Sequence, residues 1–421
     1  MNNKIEQCLN TAKRRDRMNR FLIVADDITG ANDTGVQLTR RGIETVVTLN
    51  ANQVGKTPRS YVLNTESRAL KGQQAFEKVS AQAKEFSFDG FAHLIKKIDS
   101  TLRGSVAHEV LAIDKAFGSE LVVFMPALPA LGRTTENGIH MLSGKRITQT
   151  EIAKDPKTPV AEDNLKNLLK TAYEEEITHI YLADIDGDRI DFGRGRVFTA
   201  DATTNSQMEK VVASALKTGK KILWVGSAGI VDSLMQIEIP QNPALALVAS
   251  VSETSRGQVS FAEDSGARLV TVHWKDILDG SLQSYLDAAV GVLSSGRDCI
   301  LVSSASRDRT ELENSFSEGS HRGLSTDDVS MRVRDGMGEI AAEILKAVEV
   351  SGMFLTGGDA AMGFFEKIGA NSFEIVAEVL VGIPLMKISG TDYDGMKVIT
   401  KAGAFGQSDA ISFCLRKLRE S

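Results

Sequence analysis

Hydrophobic residues in this chain gather in short runs, separated by longer stretches with helical spacing. The runs are apolar throughout instead of alternating, which is typical of parallel strands covered on both faces. Between them lie helix-like stretches at 103–117, 161–174 and 205–219. Alternation of strands and helices predicts an α/β layered fold with right-handed crossovers. The predicted strands of the first half are FLIVA (21–25), TVVTL (45–49), YVLN (61–64), HLIKK (93–97), LVVFM (121–125), HIYLA (179–183) and KILWVG (221–226).

The pattern breaks at IEIPQNPAL (237–245), where two prolines precede a new apolar run. Proline at this density ends helices and strands and is typical of a linker. We therefore predict a disordered lead-in over 1–19, a first domain over 20–238 and a second over 244–421. Each domain is expected to be a largely parallel sheet flanked by helices, with an active-site cleft between the domains. The predicted strands of the second half are LALVAS (245–250), CILVSS (299–304), MFLTG (353–357), EIVAEVL (374–380) and KVITK (397–401).

Composition narrows the functional classes. The chain has 421 residues and a net charge of −6, with no basic tract in the predicted folded part, which argues against nucleic-acid binding. No apolar run approaches the roughly 20 residues of a membrane span, so no membrane association is expected. Three scattered cysteines without a CxxC pair favour a reduced, cytoplasmic protein. The histidines lack zinc-site spacing, and we predict no metal site built by the protein.

Charged and hydroxyl side chains follow three predicted strands of the first half. They occur in ADDITGAND (25–33), NTESR (64–68) and KKIDSTLRG (96–104). Ligands of open parallel sheets bind beyond the carboxyl ends of the strands, so we expect these three loops to converge. Their chemically active side chains are Asp26, Asp27, Asp33, Arg68, Lys97, Asp99, Ser100 and Arg103.

This set favours a small polyol acid over a nucleotide. Carboxylates accept hydrogen bonds from sugar hydroxyls, and an arginine can bind a substrate carboxylate in bidentate fashion. A structural alternative is that Asp26 and Asp33 cap the following helix while Arg103 pairs with Asp99. Three such loops at successive strand ends favour a binding site.

Loops of the second half are rich in glycine and poor in acid. LTGGDAAMG (355–363) and TKAGAFGQSDA (400–410) each follow a strand and open a helix, and ASVSETSRGQ (249–258) adds serine hydroxyls. Glycines let backbone N–H groups approach an anion, and a helix N-terminus favours negative charge. These loops indicate a site for nucleotide phosphates, although neither GxxxxGK[ST] nor GxGxxG is present. The alternative is that the glycines only serve turns.

The motifs IVADDITGANDTG, KKIDSTLRG, VGSAGI, SVSETSRGQ, TGGDAA and TKAGAFGQSDA, in this order, resemble the four-carbon acid sugar kinase family. The resemblance spans residues 21 to about 412. It implies an N-terminal domain that binds a sugar acid, a C-terminal domain that binds ATP, and transfer of phosphate to the C4 hydroxyl with Mg²⁺ as cofactor. The stretch TKAGAFG is more similar to the D-threonate kinases than to the oxo-tetronate kinases.

The resemblance also implies roles for individual residues. Sugar-acid contacts would come from Asp26, Asp27, Arg68, Lys97, Asp99, Ser100 and Arg103. ATP contacts would come from Ser250, Ser252, Gly357, Gly358, Asp359, Ala360 and Gly403. As a mechanistic hypothesis beyond these carried-over contacts, Asp27 orients or deprotonates the hydroxyl as the catalytic base, with Asp26 as its rival.

Several functions remain in competition at this point. Within the family, the expected reaction is D-threonate to 4-phospho-D-threonate, and the alternatives are kinases of D-erythronate, L-threonate or an oxo-tetronate. From other classes, a sugar-acid oxidoreductase lacks its dinucleotide motif, and a non-catalytic sugar-acid sensor leaves the glycine loops without a role. The expected partners are a sugar acid and ATP, and a homodimer is one candidate for the assembly.

Overall fold

The computed structural model describes residues 20–420, so the predicted lead-in over 1–19 lies outside the described residues. The chain divides into two compact units, with the division between Pro240 and Gln241. Both units are α/β structures in which helices flank a sheet that is wholly or mostly parallel. No helix among residues 20–420 is long and apolar enough to cross a membrane.

An eight-stranded sheet forms the first unit. All its neighbouring strands pair in parallel, in the spatial order β2-β3-β1-β4-β11-β5-β10-β9. A separate antiparallel sheet has the order β6-β7-β8. The strands are β1 (Phe21–Ala25), β2 (Thr45–Thr48), β3 (Ser60–Asn64), β4 (His93–Lys97), β5 (Leu121–Met125), β6 (Arg133–Glu136), β7 (Ile139–Leu142), β8 (Lys145–Arg146), β9 (Ile177–Ile180), β10 (Val197–Ala200) and β11 (Ile222–Gly226).

Helices cover both faces of the large sheet. Successive residues of β1 enter opposite core clusters: Phe21 and Ile23 enter one, Leu22 and Val24 the other. Burial on both faces explains why these strands are apolar throughout. The helices of this unit are α1 (Ile28–Arg40), α2 (Gln73–Ala83), α3 (Val106–Phe117), α4 (Leu165–Lys170), α5 (Leu182–Asp186), α6 (Asn205–Leu216) and α7 (Ala228–Glu238).

The turn between β11 and α7 depends on glycine. A Cβ at Gly226 would collide with the carbonyl oxygen of Met125, and one at Gly229 would collide with that of Ala127. Ser227 caps α7 by accepting a hydrogen bond from the Gly229 amide. The GSAG stretch therefore provides close packing of the helix against the neighbouring chain.

A seven-stranded mixed sheet forms the second unit, in the order β13-β14-β12-β15-β18-β17-β16. The first five strands are parallel, whereas β17 and β16 are antiparallel additions at one edge. The strands are β12 (Leu245–Val248), β13 (Arg268–Val272), β14 (Cys299–Ser303), β15 (Met353–Thr356), β16 (Ser372–Leu380), β17 (Ile383–Ser389) and β18 (Lys397–Lys401).

Helices again lie on both faces, and their apolar residues enter two core clusters separated by the sheet. The longest helix of this unit has 22 residues and begins with a capping box at Ser325 and Asp328. The helices are α8 (Glu253–Asp264), α9 (Trp274–Leu278), α10 (Gln283–Ser294), α11 (Ser304–Arg307), α12 (Arg309–His321), α13 (Thr326–Ala347), α14 (Gly358–Lys367) and α15 (Ala410–Arg419).

The structure confirms the α/β fold class and differs from the predicted elements in detail. Strands β10, β13 and β17 lack the long unbroken apolar run on which the prediction relied. The predicted helix over 161–174 shortens to α4. The strand EIVAEVL is an exposed antiparallel edge strand, not a buried parallel one.

Candidate active site

Asp26 and Asp27 lie directly after β1, which is an interior strand of the first sheet. The neighbours of β1 are β3 and β4, so the loops that follow these three strands meet at one edge. Asp26 is 2% exposed, whereas the Asp27 side chain is 19% exposed. Asp27 is also the N-cap of α1, because its Oδ1 accepts a hydrogen bond from the Gly30 amide at 2.9 Å. The structural alternative, in which Asp26 and Asp33 cap this helix, is wrong on this point, because the N-cap is Asp27.

Arg68 holds both aspartates. Its Nε and Nη2 donate to Asp26 at 2.7 and 3.0 Å, and its Nη1 and Nη2 donate to Asp27 at 2.7 Å each. Burial alone would lower the pKa of Arg68, but hydrogen bonds and charge from Asp26, with further charge from Asp99 and Asp27, raise it above its usual value. Arg68 therefore uses its bidentate hydrogen-bonding geometry to bind carboxylates of the protein itself.

A second ion pair joins Asp99 to Arg103. Arg103 donates through Nε at 2.9 Å and through Nη2 at 3.0 Å, and the Thr101 hydroxyl also donates to Asp99. Burial would raise the pKa of Asp99, but these hydrogen bonds and the charge of Arg68 lower it well below its usual value. Asp99 and Arg103 therefore form the ion pair that the structural alternative predicted. Asp155 is a further partner of Arg103, at 3.5 Å.

Lys97 is the cation of this cluster that has no carboxylate partner. Its Nζ donates to the Ile98 carbonyl oxygen at 3.0 Å, and no ion pair to it exists within residues 20–420. The residue is 5% exposed, and burial lowers the pKa of its ammonium group, partly opposed by Asp26 and Asp99. A buried, unpaired ammonium group in an acidic cluster is a candidate for binding a negatively charged ligand.

Lys97 and Asp27 both face the space beside the Cα of Gly30. A Cβ at this position would lie 2.7 Å from Asp27 Oδ1 and 2.9 Å from Lys97 Nζ. The carboxylate and the ammonium group therefore approach the same point above the first turn of α1. An acid base pair of this kind can hold a hydroxyl group and stabilise the negative charge that develops on its oxygen.

His140 supports the Asp99–Arg103 loop from the small sheet. Its Nε2 lies 2.8 Å from the Ser100 carbonyl oxygen, and its Nδ1 lies 2.9 Å from the Thr135 hydroxyl. Burial lowers the pKa of His140 to about 4, so the neutral ring donates to Ser100 and accepts from Thr135 near pH 7. Ser100 itself is half-buried. The role of His140 is thus structural, and β6–β8 connects to the candidate site through it.

In the second unit, the serine loop after β12 lies against the glycine loop after β18. The hydroxyls of Ser252 and Ser255 donate to the Gly403 carbonyl oxygen at 2.8 and 2.9 Å, and Ser250 Oγ lies 3.2 Å from Ser252 Oγ. Ser252 also caps α8. The structure therefore brings Ser250, Ser252 and Gly403 together, as the nucleotide prediction requires.

The glycine loop after β15 joins this cluster. Gly357 has a φ of 101°, and a Cβ there would lie 3.2 Å from the backbone of Ala249 and Ser250. It precedes α14, whose first turn receives no side-chain cap. The N–H groups that begin this helix are thus available to an anion beside the serine loop. Gly358 and Asp359 are exposed, whereas Ala360 is 4% exposed.

Lys401 was not predicted from the sequence and lies beneath the same loops. It is 4% exposed, and its Nζ donates to the carbonyl oxygens of Ala402 and Gly403 at 3.0 Å each. Within the described part of the chain it has no carboxylate partner. Burial lowers the pKa of Lys401 to about 8. The feature of the sequence that could have identified Lys401 is its position at the end of a strand. Lys97 ends β4 as Lys401 ends β18, and each ammonium group donates to the carbonyl oxygen of the following residue.

Substitution of Gly403 by alanine tests the nucleotide loops. The new Cβ would collide with Ser250 Oγ and lie 3.2 Å from Ser252 Oγ, so Ser250 must leave its observed rotamer and its hydroxyl contact with Ser252 is lost. We expect the dissociation constant for ATP, measured by calorimetry, to rise by about tenfold or more, with acid binding unchanged. Gly257→Ala is the matched control, because a Cβ there meets nothing within 4 Å. Equal ATP affinity in Gly403→Ala and the unchanged protein would contradict the assignment.

Both halves of the chain match known protein families. Residues 21–234 match the family described as "Sugar-binding N-terminal domain", and residues 245–411 match "Nucleotide-binding C-terminal domain". The two matches fall on the acid-rich and the glycine-rich halves respectively.

Relatives match over nearly the whole chain. A D-threonate kinase of Salmonella typhimurium is 31% identical over 95% of this chain and 99% of its own. A D-erythronate kinase of Heliobacterium modesticaldum is 26% identical, covering 94% and 97%. A crystal structure from Bordetella bronchiseptica, described as a domain of unknown function with bound citrate in a domain-swapped dimer, has a TM-score of 0.61 at 26% identity, covering 95% and 98%.

Proposed function

The chain belongs to the four-carbon acid sugar kinase family, and we propose that it transfers the γ-phosphoryl group of ATP to the C4 hydroxyl of D-threonate. The observation that carries this proposal is the meeting of Asp27 and the unpaired Lys97 above Gly30 in the sugar-binding unit. This pair is suited to an alcohol that must be readied for attack. The open N-terminus of α14 and the serine loop supply the nucleotide side.

We propose distinct roles for the charged groups of the first unit. Asp27 accepts the proton of the C4 hydroxyl, since its carboxylate is the more accessible of the two. Asp26 and Arg68 position Asp27, and Lys97 binds the negative charge of the acid or of the transferring group. Asp99, Ser100 and Arg103 form the remaining wall of the acid site. Phosphoryl transfer depends mainly on such positioning and charge neutralisation.

Mg²⁺ is proposed as a companion of ATP. Within residues 20–420 no group of three or more His, Cys, Asp or Glu side chains could hold a metal ion. Mg²⁺ fits without such a cage, because it retains waters and commonly takes one or two carboxylates together with substrate phosphates. Asp359, exposed in the first turn of α14, is the carboxylate placed to contact it. When bound, Mg²⁺ would neutralise charge on the phosphates.

The function is tested by measuring ADP release with D-threonate, D-erythronate, L-threonate and an oxo-tetronate. We expect D-threonate to give the highest kcat/KM. Since these acids differ at one or two groups, a single pocket contact can change the order, and a higher value for another acid would reassign the substrate within the family. Tight acid binding without ADP release from any acid would favour the sensor function instead.

Lys401 is proposed to attract the nucleotide phosphates from beneath the loops. Its ammonium group is charged below its pKa of about 8 and neutral above it, so the attraction is present at pH 7 and lost as pH rises through 8. We expect ATP affinity to fall by about fivefold between pH 7 and 9, equivalent to ~1 kcal/mol. Neighbouring Cys414 stays protonated throughout, because burial raises its pKa to about 12.

The control for this pH dependence is the Lys401→Met variant. Its ATP affinity should be low at pH 7 and should not fall further by pH 9. Lys367→Met, which removes an exposed lysine from the end of α14, should keep the full pH dependence. A pH profile in Lys401→Met equal to that of the unchanged protein would contradict the role.

We also propose a homodimer. Edge strand β16 exposes Ile375 (74%), and Val381 after it is 89% exposed, which leaves an apolar strand edge open to pairing. The solved Bordetella relative is described as a domain-swapped dimer, which favours a second copy of this chain as the occupant. Light scattering after gel filtration should give a dimer, and Ile375→Lys should shift it toward monomer. The control Glu374→Gln should remain dimeric, and a monomeric unchanged protein would refute the proposal.

A further inference from the structure

A cavity of about 330 Å³ lies in the second unit beside the Gly357–Ala360 loop. Its volume is at the lower end of the roughly 300–1,000 Å³ of small-molecule pockets. It is bounded by the ends of β12, β14 and β15 and by α12 and α13, so all its walls belong to the nucleotide-binding unit. The loop proposed to bind phosphates lines part of the cavity, so a single molecule could occupy the cavity and the phosphate site together.

Most of the cavity wall is apolar. The large apolar side chains that line it are Trp274, Leu312, Phe316, Val329 and Val333. Val329 is 1% exposed and Trp274 is 8% exposed, which makes them fixed parts of the wall. The Trp274 indole is further held by its Nε1–H, which donates to Glu311 at 2.9 Å. An apolar wall with rigid aromatic rings suits a flat, aromatic ligand.

Charged groups occur in the cavity lining where the loop and α13 contribute, at Asp359 and Arg334. Arg334 is largely offset, because it donates to Asp335 at 2.7 Å and lies 3.3 Å from Glu366. A four-carbon sugar acid has a carboxylate and hydroxyls but no apolar face, so this cavity offers it little. A nucleotide has both an aromatic base and an anionic end, which matches an apolar cavity joined to an open helix N-terminus.

We propose that this cavity binds the purine base of the nucleotide, with the phosphates on the Gly357–Ala360 loop. The inference rests on the proposed function and adds where the base is held and by which side chains. It assigns base recognition to α12 and α13, which carry none of the residues singled out in the sequence. The base is thereby held chiefly by packing against Phe316 and Val333, which are half-buried and line the same space.

The test fills the cavity from an exposed position. Ser330 lines it on α13 and is exposed, so Ser330→Trp adds a large ring without disturbing a packed core. Calorimetry with ATP should show a dissociation constant raised by about tenfold or more. Affinity for inorganic tripolyphosphate, which has no base, should be unchanged. Met331→Trp is the matched control, because Met331 is the next residue, is 51% exposed and does not line the cavity.

A second measurement does not depend on the variant. Photolabelling with 8-azido-ATP, followed by peptide mapping, should modify α12 or α13, and excess ATP should prevent the labelling. ATP binding equal to that of the unchanged protein in Ser330→Trp, or labelling confined to other segments, would overturn the cavity assignment alone. Failure of the unchanged protein to bind ATP at all would overturn the proposed function together with it.

Discussion

Asp27→Asn is expected to lower kcat by about a thousandfold while ATP affinity remains within about twofold of the unchanged protein. The substitution removes the proposed proton acceptor and keeps the side-chain size. Asparagine is as good an N-cap as aspartate, so α1 should retain its cap on Gly30. Asparagine offers Arg68 one acceptor fewer, so a loss of turnover reports on the charge when the thermal stability of the variant is retained. ADP release and calorimetry with ATP measure the two quantities.

Comparison with Asp26→Asn separates the two rivals for the base. Asp26 is almost fully buried, and its proposed role is to hold Arg68. We expect Asp26→Asn to reduce thermal stability more than Asp27→Asn and to reduce kcat less. Asp191→Asn, an exposed carboxylate in the same unit, should leave both quantities unchanged. Unchanged turnover in the double variant Asp26→Asn/Asp27→Asn would refute the role of this motif.

Arg68→Met is expected to lower the unfolding free energy of the first unit by about 3–5 kcal/mol. The substitution leaves two adjacent, largely buried carboxylates without the four hydrogen bonds that Arg68 donates. Kinase activity should also fall, since Asp27 loses its position.

Tryptophan fluorescence can follow this unit separately. Trp224 belongs to the core of the first unit and Trp274 to the second, so a Trp274→Phe background reports on the first unit alone. Arg194→Met removes an exposed ion pair in the same unit and should change stability by less than about 0.5 kcal/mol. Arg68→Lys should be intermediate, because a lysine keeps the charge without the planar geometry. A stability of Arg68→Met equal to that of Arg194→Met would contradict the expectation.

The sequence predicted the fold where burial leaves a clear pattern. Strands such as β1 and β5, buried on both faces, appear as unbroken apolar runs with the observed positions. Strand β13 begins with exposed Arg268 and is only partly buried, so its residues resemble those of a loop. Strand β17 contains Pro384, which favours an edge position over a central strand and weakens the signal. Its pairing with β16 and β18 is set by tertiary structure.

The sequence predicted which loops form the candidate site, but not which of their charged side chains pair with each other. The three acid loops converge because β1, β3 and β4 are neighbours, which the rule for parallel sheets anticipates. Whether Arg68 binds the substrate or the protein depends on a distance to Asp26 and Asp27 that no local pattern encodes. Lys401 was not predicted for a similar reason. A lysine at the end of a strand is usually solvated, whereas here the serine loop above it buries the side chain. Charge pairing thus requires coordinates, whereas loop convergence does not.

The place of β11 in the first sheet has a consequence for biosynthesis. This strand lies between β4 and β5, although both of them leave the ribosome much earlier. Until Gly226 has emerged, β4 and β5 each lack a neighbour, and the amide of Ile98 lacks the Gly226 carbonyl oxygen to which it donates. From the emergence of β5 until that of β11, the nascent chain therefore has open strand edges on β4 and β5, a state in which chaperones would protect it from aggregation. We therefore expect the loop that begins at Ile98 to be among the last parts of the unit to become ordered.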